Sequence, residues 1–202
     1  MAAAPQRKPA RMSRELFRGF VECRPDEEHW QLIDGVAVMM APPTYAHQRI
    51  ATNLLLLLHE ALERHNPAMT VYQRGGVELG PAIPDYDPEP DVLVVDVDAS
   101  LDPKKRYADP FYLAAEIVSE SDQALVEKKR DIYKLHDACK CVLTVQQDRV
   151  DVRLHLRTDS GWDEQVLKVL GDQLILSDFG LHCRVEELYR GTALAPRRRP
   201  RG

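Results

Sequence analysis

Two acidic residues lie in apolar segments, where carboxylates are uncommon. Asp91 directly precedes Val-Leu-Val-Val, and Glu116 lies within Tyr-Leu-Ala-Ala-Glu-Ile-Val. A carboxylate in a buried strand costs several kcal/mol unless a cation pairs with it or a metal binds it. For either residue alone, a nearby Arg or Lys, or an exposed strand end, is the simpler explanation. Two of them on neighbouring predicted strands favour a divalent-ion site, because Mg²⁺ takes one or two carboxylates together with water and phosphate oxygens.

A run of three cations, Lys128-Lys129-Arg130, follows Glu116 in a predicted helix. One of these side chains, projecting toward the carboxylates, would orient or help to deprotonate a water molecule and would offset phosphate charge. Charge runs are ordinarily solvated helix faces. The run therefore supports the hypothesis only in company with the two carboxylates, and it does not distinguish Lys128 from Lys129.

Together these residues resemble the motif of the PD-(D/E)xK nuclease superfamily. Pro90-Asp91 matches its first part, Glu116-Ile117-Val118 matches its second, and Lys129 is followed by Tyr133 four residues later. Val118 stands where the usual motif has its lysine. This is a feature of the Uma-two group of restriction endonucleases, in which a helix lysine, here Lys129, takes that place.

An upstream segment, residues 30–50, is similar to the N-terminal signature of the same group. It contains Asp34-Gly35 between two apolar runs and a histidine, His47, at the entry to a long helical pattern. The resemblance covers about residues 14–190. The chain departs from the group at Leu125, where an Asp is common and Asp122 is a candidate substitute, and at residues 139–145, which lack the usual Tyr-Trp pair.

The resemblance implies roles for the matched residues. Asp91, Glu116 and the backbone carbonyl of Ile117 would hold Mg²⁺ or Mn²⁺, and Lys129 would position the water that attacks a phosphodiester of DNA. It thus implies a metal-dependent endonuclease. The alternative is a protein of the same fold that binds DNA or dimerises without cutting.

Further residues are auxiliary candidates for the same site. Glu78 and Glu89 precede Asp91 and could reach it, and Glu60 could add a carboxylate from the long helix, although an exposed helix position is the commoner fate of such a residue. His47 could contact substrate or orient a carboxylate, but a helix-start histidine satisfied by the backbone explains it equally well. Tyr133 belongs to this group through the motif spacing.

The elements that must position these residues follow from hydrophobic periodicity and turn residues. Ser13 predicts the N-cap of a short helix that Pro25 ends, and Asp34-Gly35 predicts a hairpin. The remaining predicted elements are a helix at 44–65, a strand at 69–79 interrupted by Gly75-Gly76, strands at 91–97 and 111–119, a helix at 122–137, a strand at 139–147, further strands at 150–158, 162–170 and 172–179, and a short helix at 185–189.

This order predicts an α/β (α+β) fold with helices packed on a sheet. It agrees with the restriction-endonuclease-like αβββαβ core that the resemblance implies, with a central mixed sheet, an N-terminal helix and hairpin, and a C-terminal strand meander. The 202 residues suit a single domain. We expect it to span residues 13–190, between a disordered tail at 1–12 and a disordered basic tail at 191–202.

The overall charge limits the kind of nucleic-acid binding. The formal net charge is −5, which argues against a non-specific coat on DNA and requires a local basic patch or a bound metal. No apolar run is long enough to span a membrane, and residues 1–15 lack the apolar segment of a secretory signal, so we expect a cytoplasmic protein. Cutting both strands of a duplex would suit a homodimer.

Four cysteines complete the set of chemically notable residues. Cys139 and Cys141, spaced to share one face of a strand, could join His136 in a zinc site, but no second pair of ligands stands at usable spacing. Reduced cysteines that pack as small apolar side chains are the better interpretation.

Overall fold

The computed structural model describes residues 11–25 and 27–196, and these contain four α-helices and twelve strands. The helices are α1 (Arg14–Glu22), α2 (Tyr45–His65), α3 (Gln123–Tyr133) and α4 (Val185–Leu188). The strands are β1 (Trp30–Ile33), β2 (Val36–Met39), β3 (Met69–Gln73), β4 (Gly76–Val77), β5 (Val92–Asp96), β6 (Tyr107–Ala108), β7 (Phe111–Val118), β8 (Cys141–Gln146), β9 (Val152–Thr158), β10 (Gly161–Leu167), β11 (Gln173–Leu176) and β12 (Leu181–Arg184).

A six-stranded mixed sheet with the order β10-β9-β8-β7-β5-β3 forms the centre of the fold. All neighbouring strands are antiparallel except β7 and β8, which are parallel and are joined through α3. Because β7 has partners on both sides and helices on both faces, its sequence is an almost continuous apolar run. The series α2-β3-β5-β7-α3-β8 is the αβββαβ core that the sequence predicted.

The two faces of the sheet are covered by different helices. Ala115 and Ile117 of β7 belong to the core beneath α2, with Leu54 and Leu58, whereas Ala114 belongs to the core beneath α3, with Tyr133. Since successive strand residues point to opposite faces, the carboxylate of Glu116 falls on the α3 side. The same alternation along β5 puts Asp91 on that side too.

The apolar side of α2 is covered from two directions. The sheet covers one part of it, and the C-terminal elements β11, β12 and α4 cover the other, with Leu174, Leu181 and Leu188 in the same buried cluster. The amide of Asn53 on α2 donates to the carbonyl oxygens of Leu188 and Arg190 at 2.7 and 2.9 Å. The C-terminal segment therefore holds α2 in position.

Local signals place the N-terminal elements as expected. Ser13 and Thr44 cap α1 and α2, since their hydroxyls accept hydrogen bonds from the backbone N–H groups of Leu16 and His47. Asp34 and Gly35 both have left-handed backbones, with φ of 53° and 71°, and they connect β1 to β2. Two left-handed residues in succession are typical of the type I′ hairpin turn.

The predicted strand at 69–79 is divided in the structure. Arg74 has a left-handed backbone (φ 59°), so β3 ends at Gln73 and joins the main sheet, while β4 pairs in parallel with β6 in a separate small sheet. Gly76 allows this close approach, because a Cβ there would lie 2.4 Å from the Tyr107 ring. Strand β12 was not predicted, and it forms a hairpin with β11 outside the main sheet.

The cysteine spacing was misinterpreted. Strand β8 begins only at Cys141, so Cys139 packs in the core beneath α3 and Cys141 in the core beneath α2. All four thiols are free, and within residues 11–25 and 27–196 no three His, Cys, Asp or Glu side chains converge on a common point suited to a metal. The zinc interpretation therefore has no support from the structure.

The predicted tails fall largely outside the described residues, which begin at residue 11 and end at 196. Residues 191–196, assigned by prediction to the basic tail, form a turn in the structure: Thr192 is buried, and Ala195 forms a bridge with Arg190. None of the helices in the described part of the chain has the length and hydropathy needed to cross a membrane.

Candidate active site

Asp91 and Glu116 lie on adjacent strands at the same position along the sheet. Val92 pairs with Ala115 in the antiparallel register of β5 and β7, so Asp91 and Glu116 are the next opposed pair, one step beyond the ladder. Here the backbone pairing of β5 with β7 has ended, and a side-chain hydrogen bond continues it: Asp91 Oδ2 accepts from the Ile117 N–H at 2.8 Å. The sheet edge thus brings two carboxylates together on the α3 side.

Glu116 is buried against α3, with only 4% of the residue exposed. Lys129 Nζ lies 2.6 Å from Glu116 Oε1, and the Tyr133 hydroxyl donates to the same oxygen at 2.7 Å. Lys129 and Tyr133 are four residues apart, which places them one above the other on the inner face of the helix. Lys129 Nζ also donates to the Glu89 carbonyl oxygen at 3.1 Å.

The neighbouring lysine has a different environment. Lys128 points away from the sheet, its side chain is 55% exposed, and its Nζ lies 3.8 Å from Asp34 Oδ2. The helix phase therefore brings Lys129, and not Lys128, to the carboxylate, which the residue types alone did not decide.

Burial governs the ionisation of this group. Removal from water raises the pKa of Glu116 to about 7, although the nearby Lys129 ammonium and the Tyr133 hydroxyl act in the opposite direction. Burial and the Glu116 charge also raise the pKa of Tyr133 well above its ordinary value. The carboxyl thus exchanges its proton near neutral pH, and Tyr133 remains a hydrogen-bond donor.

Asp91 is the more accessible of the two acids. Its Oδ2 lies 3.1 Å from His47 Nε2, and the two side chains are 19% and 18% exposed. Although burial opposes the change, the hydrogen bond with His47 and the charges of His47 and Lys129 lower the pKa of Asp91. His47 holds this position because it lies in the first turn of α2, directly after the Thr44 cap. We call Asp91, Glu116, Lys129, Tyr133 and His47 the carboxylate cluster.

A cleft of about 680 Å³ opens over Asp91 and His47. It lies between the start of α2, the end of β3 and the turns that follow β7 and β8, and the Thr44 hydroxyl donates across one end of it to Gln147 Oε1 at 2.7 Å. Glu116 and Lys129 are not among the residues that line it. The cleft therefore gives a ligand access to Asp91, and Glu116 is the next acid, on the adjacent strand.

Several polar residues of the cleft were not among the predicted site residues. They are Gln31, Gln48, Gln73, Arg74, Ser119 and Gln147. Ser119 and Gln147 directly follow two parallel strands, and the carboxyl ends of such strands meet at one edge of a sheet, so this signal could have identified them. Asp122, which was noted as a candidate substitute, also lines the cleft, and it accepts a hydrogen bond from the Ser119 hydroxyl.

The auxiliary candidates separate into two groups. Glu89 lines the cleft beside Asp91, and burial raises its pKa. Glu60 is exposed on α2, thirteen residues beyond His47, which corresponds to about 20 Å along a helix. The structure therefore brings His47, Tyr133 and Glu89 to the carboxylates and leaves Glu60 outside the site.

Glu78 belongs to a different ion-pair network, which we call the arginine clamp and which consists of Arg14, Arg18, Glu78 and Asp87. Arg18 donates from Nε and Nη2 to the two oxygens of Asp87 at 3.0 and 2.8 Å, and from Nη2 to Glu78 Oε2 at 2.9 Å. Arg14 pairs with the other oxygen of Glu78. The clamp fastens α1 to the loop before β5, so the prediction that Glu78 reaches the site was wrong.

The carboxylate cluster offers oxygens that suit a hard cation. Hydrogen bonds and ion pairs engage Asp91 Oδ2 and Glu116 Oε1, while no hydrogen bond from the described residues reaches Asp91 Oδ1 or Glu116 Oε2. Two carboxylates and a neighbouring backbone carbonyl, that of Ile117, form an all-oxygen donor set. Mg²⁺ is bound in proteins by one or two carboxylates with water completing its shell, so these residues fit such an ion.

Comparison with known proteins agrees with this geometry. Residues 17–186 match the family described as Uma2, putative restriction endonuclease. Among solved structures, the chain is similar to the crystal structure of a putative nuclease belonging to DUF820 from Anabaena variabilis, with a TM-score of 0.69 and 15% sequence identity over 88% of this chain and 97% of that chain. At this identity the likeness shows a shared fold. Curated proteins give no significant match.

Proposed function

Because the chain belongs to the Uma2 family of putative restriction endonucleases, we propose that this nuclease cuts the phosphodiester bonds of DNA with the help of Mg²⁺ or Mn²⁺. The observation that carries the proposal is the pairing of Asp91 with Glu116 across β5 and β7, with the buried Lys129 ammonium 2.6 Å from Glu116. A cleft that Asp91 lines gives access to this acid from solvent.

The cation would be held by Asp91, Glu116 and the Ile117 carbonyl. When bound, it would act as a Lewis acid that stabilises the negative charge developing on the phosphate. The need for such charge compensation is clear from the location of the site, because a phosphate entering the cleft approaches two carboxylates.

The side chains of the protein have separate tasks in this proposal. Lys129 favours the charged form of the buried Glu116 and positions the attacking water, and Tyr133 fixes the same carboxylate by its hydrogen bond. His47, on α2, fixes the side chain of Asp91 by its contact with Oδ2. The groups are held rigidly by strands and helices, which favours a defined orientation of the reacting atoms.

Substrate binding is supported by a local concentration of positive charge in an acidic chain. Arg74, Lys105 and Arg106 are exposed beside the cleft, and none of them forms an ion pair with a described carboxylate. Such a basic patch attracts the phosphate backbone even when the net charge of the protein is negative.

We further propose a cytoplasmic homodimer, since two copies of the site would cut the two strands of a duplex.

The proposal is tested by metal binding and plasmid nicking. Calorimetry with Mn²⁺ should detect binding to the wild type that Asp91→Ala abolishes, and the same substitution should abolish metal-dependent nicking. Glu60→Ala is the matched control, because it removes an exposed carboxylate remote from the cluster and should leave both properties unchanged. Absence of metal binding to the wild type at millimolar Mn²⁺ would contradict the proposal.

One observation favours a second candidate, a DNA-binding or dimerisation module that does not cut. Each carboxylate has a partner of its own within the chain, His47 for Asp91 and Lys129 for Glu116, so both acids have side-chain contacts without a metal. This candidate predicts DNA binding that persists in EDTA, and no nicking by the wild type with either ion. A gel-shift assay and the nicking assay together separate the two.

A further inference from the structure

A second pocket of about 470 Å³ adjoins the cleft. Gln73, Arg74 and Glu89 line both cavities and form the wall between them. Leu93, on the floor of the second pocket, lies two residues along β5 from Asp91, a separation of about 7 Å. We call this cavity the side pocket, and the residues that line it also include Tyr72, Gly75, Val95, Ala99 and Tyr107.

The floor of the side pocket is apolar. Leu93, Val95 and Ala108 are buried beneath it, and the tyrosines at positions 72 and 107 stand at its sides. Glycines line the remaining part, and a Cβ on Gly75 would lie 3.2 Å from Leu93 Cδ2. The Arg18 guanidinium lies 3.6 Å from the centre of the Tyr107 ring, whereas Tyr72 is exposed. An apolar floor beside the Tyr72 ring accommodates a planar ring system, and the volume is in the range of about 300–1,000 Å³ typical of ligand pockets.

The rim of the side pocket is cationic. Three cationic side chains line it, those of Arg74, Lys105 and Arg106, and two acidic ones, those of Glu89 and Asp102. Asp102 accepts a hydrogen bond from the Lys104 N–H. Arg74 lines both cavities. Its backbone is left-handed (φ 59°), and its N–H donates to the Asp91 carbonyl oxygen, which fixes the turn at this position. A bulky residue with this backbone is uncommon and is often found at functional sites.

We propose that the side pocket binds the base of a nucleotide next to the scissile phosphodiester, in an unstacked conformation. The base lies on the apolar floor beside Tyr72, and the phosphate next to it contacts Arg74. This inference rests on the proposed function, and it adds a contact with one base to a site that otherwise holds only the backbone. Stacking of a base on an aromatic side chain is tolerant of sequence, so the pocket orients the strand more than it selects a sequence.

The test uses single-stranded DNA oligonucleotides with Ca²⁺ in place of Mg²⁺, because Ca²⁺ also binds oxygen ligands and offsets the charge of the two carboxylates that the phosphate approaches. Gel electrophoresis verifies that the oligonucleotide stays intact. One series carries an abasic site at each successive position, and binding is followed by fluorescence anisotropy. At one position the abasic site should weaken binding to the wild type by about tenfold, the size expected for loss of one stacked base. 2-Aminopurine at that position should become more fluorescent on binding, because it leaves the stack.

Ala99→Trp fills the side pocket and should weaken binding of the intact oligonucleotide by about tenfold, with no further loss from the abasic site. Leu101→Trp is the control, since Leu101 is 75% exposed and does not line the pocket. Tyr72→Ala is a second variant, at an exposed position. It should weaken binding of the intact oligonucleotide by a similar factor, whereas Tyr72→Phe, which keeps the aromatic ring, should bind like the wild type. Circular dichroism verifies that each variant is folded.

Two failures are distinguishable. If the oligonucleotide binds the wild type and Ala99→Trp equally, and every abasic position is equivalent, the side-pocket inference is overturned and the proposed function stands. If no oligonucleotide or duplex binds the wild type, both are overturned.

Discussion

The arginine clamp and the carboxylate cluster both bury acids next to cations, and one segment, residues 78–91, supplies acids to both. In the clamp, both oxygens of Asp87 accept hydrogen bonds from the Arg18 guanidinium, and two arginines face two carboxylates. In the carboxylate cluster, one oxygen of Asp91 and one of Glu116 receive no hydrogen bond from the described residues, and the cluster contains one lysine.

The comparison shows that a buried carboxylate does not by itself identify an active site. The planar guanidinium binds a carboxylate through two parallel bonds and satisfies it, whereas an ammonium contacts it as a point charge. A saturated network fixes one element to another. An unsaturated network beneath a cleft keeps oxygens for a ligand, and this difference can be tested by changing matched residues in each.

The largest difference is expected between Asp91→Asn and Asp87→Asn. Asp91→Asn should reduce metal-dependent nicking by about a hundredfold or more, because several kcal/mol of charge stabilisation is lost with the metal. Its cost in stability should be the smaller of the two, because an amide oxygen can still accept the hydrogen bond from the Ile117 N–H. Asp87→Asn should cost about 3–5 kcal/mol of stability, because it leaves guanidinium charge uncompensated in a buried network.

Urea unfolding and nicking per folded molecule measure the two effects. The distinction between clamp and cluster fails if Asp87→Asn lowers the activity of the folded fraction as strongly as Asp91→Asn does.

Lys129→Met is expected to affect both properties. The loss of its charge leaves Glu116 buried without a cation, but that carboxyl can take up a proton because its pKa is already about 7. We therefore expect a stability loss of about 2–3 kcal/mol, below the full cost of an unpaired buried charge, together with loss of nicking. Lys128→Met is the matched control and should change stability by less than about 0.5 kcal/mol, as expected for an exposed charge. Equal effects of the two substitutions would contradict the assigned helix phase.

The cluster should also make stability depend on pH. The Glu116 carboxyl has a pKa of about 7 in the folded protein against an ordinary value of 4.5. The folded state then binds more protons between these values, so the contribution of Glu116 to stability is fully present below pH 4.5 and is lost as the pH rises through 7. Urea unfolding in EDTA from about pH 5 to 8 should show this decline, and Glu116→Gln should reduce its slope. An unchanged slope in the variant would assign the decline to other groups.

The smallest effect is expected at Tyr133. Tyr133→Phe removes one buried hydrogen bond to Glu116 and should cost about 1 kcal/mol of stability, with a modest decrease in nicking. Tyr112→Phe is the control, because Tyr112 donates to Asp96 at 2.9 Å at a distance from the cluster. A larger loss of nicking from Tyr112→Phe would show that the hydroxyl of Tyr133 has no special part in orienting Glu116.

Sequence alone predicted the parts of the fold that depend on local patterns. The Ser13 cap and the Asp34-Gly35 turn have short-range signals, and the apolar runs around Asp91 and Glu116 indicated buried strands. The fate of Glu78 depended on Arg14 and Arg18, which lie 64 and 60 residues away in the chain. No local sequence pattern indicates such a pairing. For this reason Glu78 and Glu89 were both expected near Asp91, although the structure places Glu78 in the arginine clamp.

Other misses have equally specific causes. Glu60 is exposed because the apolar side of α2 passes through Leu58 and Ala61, so the helical phase could have excluded it. The side pocket depends on the turn at Arg74 and on the parallel pairing of β4 with β6, two strands far apart in the chain. A left-handed backbone at an arginine has no signature in the sequence.

The order in which the chain is synthesised gives the C-terminal cover of α2 a further meaning. Every residue of the carboxylate cluster lies between positions 47 and 133, yet the apolar side of α2 is closed only by residues such as Leu174, Leu181 and Leu188. Ribosomes add about 5–20 residues per second, so a nascent chain carries all the acids and the lysine for several seconds before its second helix is covered. During that interval the apolar side of α2 stays exposed to solvent, so we expect the carboxylate cluster to be held in place only after residues 174–188 have been made and packed against the helix.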